Sequence, residues 1–559
     1  SPTSGLTPVV APPAASTAAF LVVNASVNVI GIDIRPTVLV QYGVHISSDR
    51  VFLSTVNVDA PVFVWGAGMH VSSRTSISYS SVTVGGANGF YLPGSTMTTI
   101  THSTAVVSGS GRRALYGAGA SSNTIFAAVM RNSAGNGVYF DGGSRDNTVT
   151  ASTAAGSGAG FAGITFTAAS SNTISRSYLS NAAGYAVLFG AGGGYNDLFN
   201  STAVVSNITY PAVLSQGSDN AVTGSVVRNP IGDGVHIDGV ARNLVTLSSV
   251  NAALYGVEFL NAASSNTVSI VYSTGGVHFD AAATYNTVSF STVASSVLFQ
   301  GDRNTLTDSR FLDEGSVIVF IAGANFNSVV RSTIVSVNSY AMNIGGSSNT
   351  VTDAYLRSDS GEAAIINAGS YNAISFSTIS ANSAGQRGLQ IYGGANYNRL
   401  TASVVRNQGT GVEIVTGANF NTIAQSTVVS RGGDAIIING VSSTTVVDSY
   451  VQGSTGVLVT NSTGTVVGGM IIIATGTGSS ALWAGDGSVN LTVTSATITA
   501  GFYGYGIRSE NMGGLIRFTS NTISAGAAGV FIGTQAANTQ VWIGSMTVEV
   551  AGRGALGEV

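Results

Sequence analysis

Short runs in which apolar and polar residues alternate, separated by Gly, Ser and Asn, fill the chain from about residue 20 onward. Period-two alternation bounded by turn residues is the pattern of β-strands, and nothing in the sequence reads as a helix of useful length. A representative phrase is Gly137-Val138-Tyr139-Phe140-Asp141, a polar turn, then Asn147-Thr148-Val149. Val138 and Phe140 point inward, Tyr139 and Asp141 outward. The phrase returns as Gly234-Val235-His236-Ile237-Asp238, Gly256-Val257-Glu258-Phe259-Leu260 and Gly276-Val277-His278-Phe279-Asp280.

The strands are punctuated by asparagine. Fourteen Asn-x-aliphatic triplets stand at Asn123, Asn147, Asn172, Asn196, Asn220, Asn243, Asn266, Asn286, Asn304, Asn327, Asn349, Asn372, Asn398 and Asn421, roughly 23 residues apart. A fixed period of this size marks a stacked-repeat architecture. A coil of about 23 residues with two or three short strands cannot bury a face alone, so each coil must stack on the next. The expected fold is all-β, a single-stranded parallel β-helix (β-solenoid) of about 20 coils lined by Val, Ile, Leu and Phe. The recurring Asn is expected in a turn, its amide bonding the equivalent Asn of the neighbouring coil to form a ladder.

The ladder also divides the chain. Residues 1–19 hold four of the nine prolines and read as a Pro-rich extended N-terminal arm. Residues 20–122 read as N-terminal coils without the ladder, where Arg50, Arg74 and roughly Thr98 keep the register. Residues 123–443 form the regular Asn-ladder β-helix. Residues 444–559 read as atypical C-terminal coils and a cap, the register fading through Thr444 and Gly464 and partly returning at Asn521-Thr522-Ile523.

Composition narrows the function. Charged residues are only 8% of the chain and Gly numbers 72, so the surface must be neutral Ser, Thr, Asn and Gly. All 21 basic residues are Arg and the net charge is −4, so no basic patch is available for nucleic acid. Without Cys there are no disulfides or thiolate metal sites. No run of about 18 apolar residues predicts a membrane span. The chain begins at Ser1 without a charged and apolar leader, which fits a processed exported protein and equally a chain trimmed at its start. Five Asn-x-Ser/Thr sequons, at Asn24, Asn200, Asn207, Asn461 and Asn490, carry little weight in so Asn- and Ser-rich a chain.

Repeats such as Ser171-Asn172-Thr173-Ile174-Ser175 and Ser265-Asn266-Thr267-Val268-Ser269, each followed by a Gly-Val-x-Phe/Ile strand, resemble the right-handed parallel β-helix superfamily of pectate lyases, tailspikes and bacterial surface proteins. The resemblance covers most of residues 20–545 and implies the right-handed coil. It does not imply an activity, because the fold hosts enzymes, adhesins and structural rods. The polygalacturonase-like branch would imply an Asp-Asp pair, Gly-His-Gly and Arg-Ile-Lys, and none occurs. The Asp-Pro-His of the alginate-epimerase branch is also missing. The lyase-like branch would imply clustered acids near a basic residue, and the one adjacent acidic pair, Asp313-Glu314, has no such surroundings.

Two constellations remain as candidates. His236, Glu258 and His278 occupy the same outward slot of three successive coils, with Asp238 and Asp280 two residues further on. Stacking would bring them about 5 Å apart, near enough to bind a divalent metal or act as an acid/base pair. Equally, the slot is a variable solvent position, since it holds Tyr139, Gln390 and Glu413 elsewhere. The second is aromatic: the residue before the ladder Asn is Tyr371, Tyr397 and Phe420 in consecutive coils, and also Tyr195, Tyr285 and Phe326. These rings suit a sugar or a neighbouring subunit, or simply stack on each other. His45, His70 and His102 are read as single residues. The expectation is a non-catalytic exported structural or adhesive rod, extracellular or at the cell surface, that self-assembles into a filament, sheath or surface layer. Its partners are copies of itself and glycans, and no cofactor is expected. The alternative is a carbohydrate-active β-helix.

Overall fold

The computed structural model describes residues 7–550. The chain divides into two compact units, Ser1–Thr287 and Val288–Val559, which do not coincide with the segments marked out by the ladder. In each unit the described strands are short and pair in parallel with the equivalent strand one coil away. One complete coil shows the plan. Strands Asn136–Asp141, Thr148–Thr150 and Thr153–Gly156 pair with Ala162–Phe166, Thr173–Ser175 and Tyr178–Asn181 of the next coil. Counted along the first of these three rows among the described residues, the first unit has twelve coils, from Ser16–Val22 to Gly276–Phe279. The described residues of the second unit form eleven, from Val297–Phe299 to Ala528–Ile532.

Alternation decides what each strand buries. Val138, Phe140, Val149 and Ala154 all face the coil interior at 1% exposure or less. Equivalent side chains of successive coils pile into columns: Phe140, Phe166 and Phe189 stack at 5.6 and 6.2 Å between ring centroids. In the second unit Phe299 and Phe320 stack at 4.5 Å. Fully burying such a ring contributes about 1.5–3 kcal/mol. Inward glycines mark where the coil is too narrow for any side chain. A Cβ on Gly256 would lie 1.8 Å from Ser273 Oγ. Gly256→Ala is expected to cost about 1–3 kcal/mol through this overlap, measured as a lowered denaturation midpoint in urea.

The ladder forms as the spacing predicts. In the first unit Asn123, Asn147, Asn172 and Asn196 each donate from Nδ2 to Oδ1 of the next ladder Asn at 2.9–3.0 Å. The backbone N–H of each donates to the same oxygen at 2.9–3.1 Å. Asn220 differs: its N–H reaches Asn243 Oδ1, but its Nδ2 turns to Gly217 O and Ser215 Oγ. Asn243 and Asn266 resume the pattern toward Asn266 and Asn286. In the second unit Asn304, Asn327 and Asn349 bond the next Asn through the backbone N–H at 2.8 Å. Asn372 and Asn398 again use Nδ2, ending on Asn421.

All fourteen residues before a ladder Asn have φ of +56° to +61°. That left-handed conformation costs a non-glycine residue about 1–2 kcal/mol, and the hydrogen bonds of the buried Asn that follows hold it in place.

Several expectations need correction. Val9–Val10 pairs in parallel with Asp33–Ile34, and Ser16–Val22 with Val40–Ile46, so the proline-rich segment is built into the first coils from Val9 on. Pro2 and the rest of residues 1–6 lie outside the described residues, as do 551–559. Arg50, Arg74 and Gly464 occupy the left-handed position one residue before the ladder column. The column itself holds Thr75, Thr98, Thr444 and Thr465, all buried. Asn521 belongs to a different column, accepting from the N–H of Ala496 at the coil's other tight bend. That bend is a second ladder, of serines. Ser152, Ser177, Ser201 and Ser225 each donate a backbone N–H to Oγ of the next serine at 3.1 Å. Its sequence signal is a Ser five residues after the ladder Asn, present at eleven of the fourteen.

Candidate functional site

His236 lies on strand Val235–Asp238, Glu258 on Tyr255–Leu260 and His278 on Gly276–Phe279. The register pairs His236 with Glu258 and Glu258 with His278, so alternation and stacking bring all three outward and side by side. His236 Nε2 lies 2.8 Å from Glu258 Oε2, and His278 Nδ1 lies 2.7 Å from Glu258 Oε1. Asp233, in the turn before the first strand, joins them with Oδ2 3.2 Å from His236 Nε2. The N–H of Tyr255 donates to its other oxygen, Oδ1, at 2.9 Å. The Tyr255 ring stacks on His278 with centroids 4.9 Å apart.

This is not an open solvent slot. The side chains of His236, Glu258 and His278 are only 11–13% exposed. Burial alone would lower the His236 imidazole, but the facing Asp233 and Glu258 carboxylates outweigh it and raise it from 6.5 to about 9. Burial would raise Glu258, yet the two imidazoles hold it down from 4.5 to about 2. Burial, then the Glu258 and Asp233 charges, push the Tyr255 hydroxyl above its usual value. An imidazole held charged and a carboxyl held ionised across the neutral range are poorly placed to exchange protons there, since acid–base catalysis works best with a group titrating near the working pH.

Asp238 and Asp280 do not join the cluster. Asp238 accepts from Gln216 Nε2 at 3.0 Å and from Asn261 Nδ2, and Asp280 accepts from the N–H of Asn261. Asp233 was not among the candidates. Its signal was a lone acid between Gly232 and Gly234, three residues before His236.

The same outward column continues through earlier coils of the first unit. From His45 it passes through His70, Tyr91, Tyr116 and Tyr139, then Thr165, Leu188 and Leu214, to His236. His45 and His70 are therefore neighbours, not single residues, with ring centroids 4.5 Å apart. Burial first, and His45 second, lower His70 from 6.5 to about 4. His102 stacks on Tyr79 at 5.0 Å. The 25-residue step from His45 to His70 was the sequence signal. In the second unit the equivalent slot pairs Gln390 with Glu413. There Arg387 lies 2.9 Å from Glu413 and 3.4 Å from Glu362.

Tyr371, Tyr397 and Phe420 form a parallel stack, 5.0 and 4.8 Å between centroids and tilted by 5°. They are 43–62% exposed because the left-handed turn residue points away from the coil. Both faces of Tyr397 are covered by its neighbours, so only edges and the two end faces of the stack meet solvent.

No curated protein sequence matches the chain. Among solved structures it is similar to the Dettilon tailspike protein, at 12% identity and a TM-score of 0.28 over 55% of this chain and 62% of the tailspike. A PL6 family polysaccharide lyase from Pseudopedobacter saltans is similar at 13% identity and a TM-score of 0.28, over 59% of this chain and 88% of the lyase. PfbA, a surface adhesin of Streptococcus pneumoniae, is similar at 11% identity and a TM-score of 0.20, over 75% and 84%. The sequence profile described as the right-handed beta helix region matches residues 60–220, 113–270 and 387–542, together more than half of the chain. The chain belongs to the right-handed β-helix family.

Proposed function

We infer that the protein is a non-catalytic, exported structural and adhesive β-solenoid that associates with copies of itself. The observation that carries this reading is what the tight bends present to solvent. The Tyr371, Tyr397 and Phe420 stack stands 43–62% exposed on the second unit, and Leu247 and Ile270 stand 59% and 51% exposed on the first. Apolar groups in repeated outward positions favour association. With charged residues at 8% of the chain, little repulsion opposes it. The closed ion pairs around Glu258 support the non-catalytic side of the reading.

A second reading, a carbohydrate-active solenoid, draws on Arg387 between Glu362 and Glu413, a guanidinium and two carboxylates on one outward face. Sedimentation velocity over a concentration series, with electron microscopy of the same samples, tests the first reading. Concentration-dependent assemblies are expected, and they should be reduced in a Tyr397→Ser, Phe420→Ser double variant. Dispersed monomers at high concentration, or polysaccharide cleavage that Arg387→Gln abolishes, would overturn it in favour of the second.

A further inference from the structure

Asp233, His236 and Glu258 converge in a manner that ion pairing alone does not require. Each carboxylate has one oxygen pinned by a donor: Asp233 Oδ1 by the N–H of Tyr255 at 2.9 Å, and Glu258 Oε1 by His278 Nδ1 at 2.7 Å. Each then turns its second oxygen toward the same atom, His236 Nε2, at 3.2 and 2.8 Å. One ligand atom from each of Asp233, His236 and Glu258 lies within 4.8 Å of the other two. His236 Nε2 is itself buried without a well-aligned hydrogen bond to either oxygen, so the nitrogen points between the two carboxylates.

We propose that Asp233, His236 and Glu258 bind a transition-metal dication of the Zn²⁺ class, clamping two successive coils and the turn that precedes them. Tetrahedral zinc takes His nitrogen and carboxylate oxygen at about 2.0–2.2 Å, which sets neighbouring donors roughly 3.3 Å apart. The observed 2.8 and 3.2 Å nitrogen–oxygen separations need a few tenths of an ångström of opening, and the two carboxylate oxygens, which lie within 4.8 Å of each other, close by up to about 1.5 Å. One imidazole and two carboxylates suit Zn²⁺ or Co²⁺, whereas Ca²⁺ and Mg²⁺ prefer all-oxygen shells. The balance is simple. The metal enters, the His236 imidazolium releases one proton to solvent, and its Nε2 lone pair becomes the third ligand, leaving a fourth position for water. His278 acts through Glu258 as a positioning residue, the role that carboxylate-bound partners take around zinc ligands.

The test uses the full chain after treatment with a chelator, titrated with Co²⁺ and with Zn²⁺. The expected result is one ion per chain, visible ligand-field absorption of tetrahedral type for Co²⁺, and a raised unfolding temperature. Asp233→Asn, which keeps the shape of the side chain, should weaken Co²⁺ binding at least tenfold and alter the spectrum. His278→Gln should weaken it about 10- to 100-fold without abolishing it. His70→Gln should leave it unchanged. Circular dichroism at the binding temperature establishes that each variant is folded. Failure of wild type to bind either ion, equal binding by Asp233→Asn, or loss of the signal in His70→Gln would each overturn the assignment. So would preferential binding of Ca²⁺.

Discussion

Glu258→Ala is expected to destabilise the first unit by roughly 3–5 kcal/mol, the usual consequence of removing one member of a buried ion pair. Stacking of His236, Glu258 and His278 at one outward slot, read as a solvent position, suggests almost no effect. The structure reverses that expectation because Asp233 and Tyr255 close the slot, and Glu258 hydrogen-bonds His278 and stands at ion-pair distance from His236. The cost is to be read as accelerated hydrogen exchange in peptides spanning Val235–Asp238, Tyr255–Leu260 and Gly276–Phe279, since solenoids open locally before they unfold. The dependence on pH fixes the cause. Glu258 has its folded value lowered from 4.5 to about 2, so its contribution is complete above pH 4.5 and is lost as pH falls through about 2. His236 is raised from 6.5 to about 9, so its contribution is complete below pH 6.5 and is lost as pH rises through about 9. In metal-free protein the difference between wild type and variant should be largest between pH 4.5 and 6.5.

Asn172→Val should cost about 2–6 kcal/mol. Asn172 Oδ1 accepts from both the N–H and the Nδ2 of Asn147, and valine leaves that N–H and one of the two amide hydrogens without an acceptor, the other amide hydrogen keeping Ala120 O. Each such orphan costs about 1–3 kcal/mol. Ser177→Ala, in the other ladder, removes the acceptor of one donor, the N–H of Ser152, and should cost about half as much. Urea denaturation of the two variants in parallel checks the ratio. Equal costs would mean that the asparagine amide contributes no more than a hydroxyl.

The repeat was legible because it is a backbone requirement: a buried turn must satisfy its N–H groups, and Asn can both accept from and donate to the neighbouring coil. The serine ladder hid behind the abundance of Ser in the whole chain. The proline-rich segment misled because proline blocks only its own N–H, and Asp33 and Arg35 donate to the carbonyls of Pro8 and Val10 all the same. At the candidate site, period and alternation placed His236, Glu258 and His278 together. They could not place Asp233, whose position depends on a turn, nor show that Asp238 and Asp280 are drawn away by Asn261 and Gln216. Burial of an outward position depends on what the adjacent turns place over it, and that information is not periodic.

The claim on which the functional reading turns is that the acid–base cluster fastens coils together and does not turn over protons near neutrality. Histidine-selective NMR of the metal-free protein measures this directly, with His236→Gln identifying the relevant signal. The account predicts that the signal lost in the variant still reports a protonated ring at pH 8 and titrates near 9. A His236 signal that titrates at about 6.5, the value of a free imidazole, would contradict it.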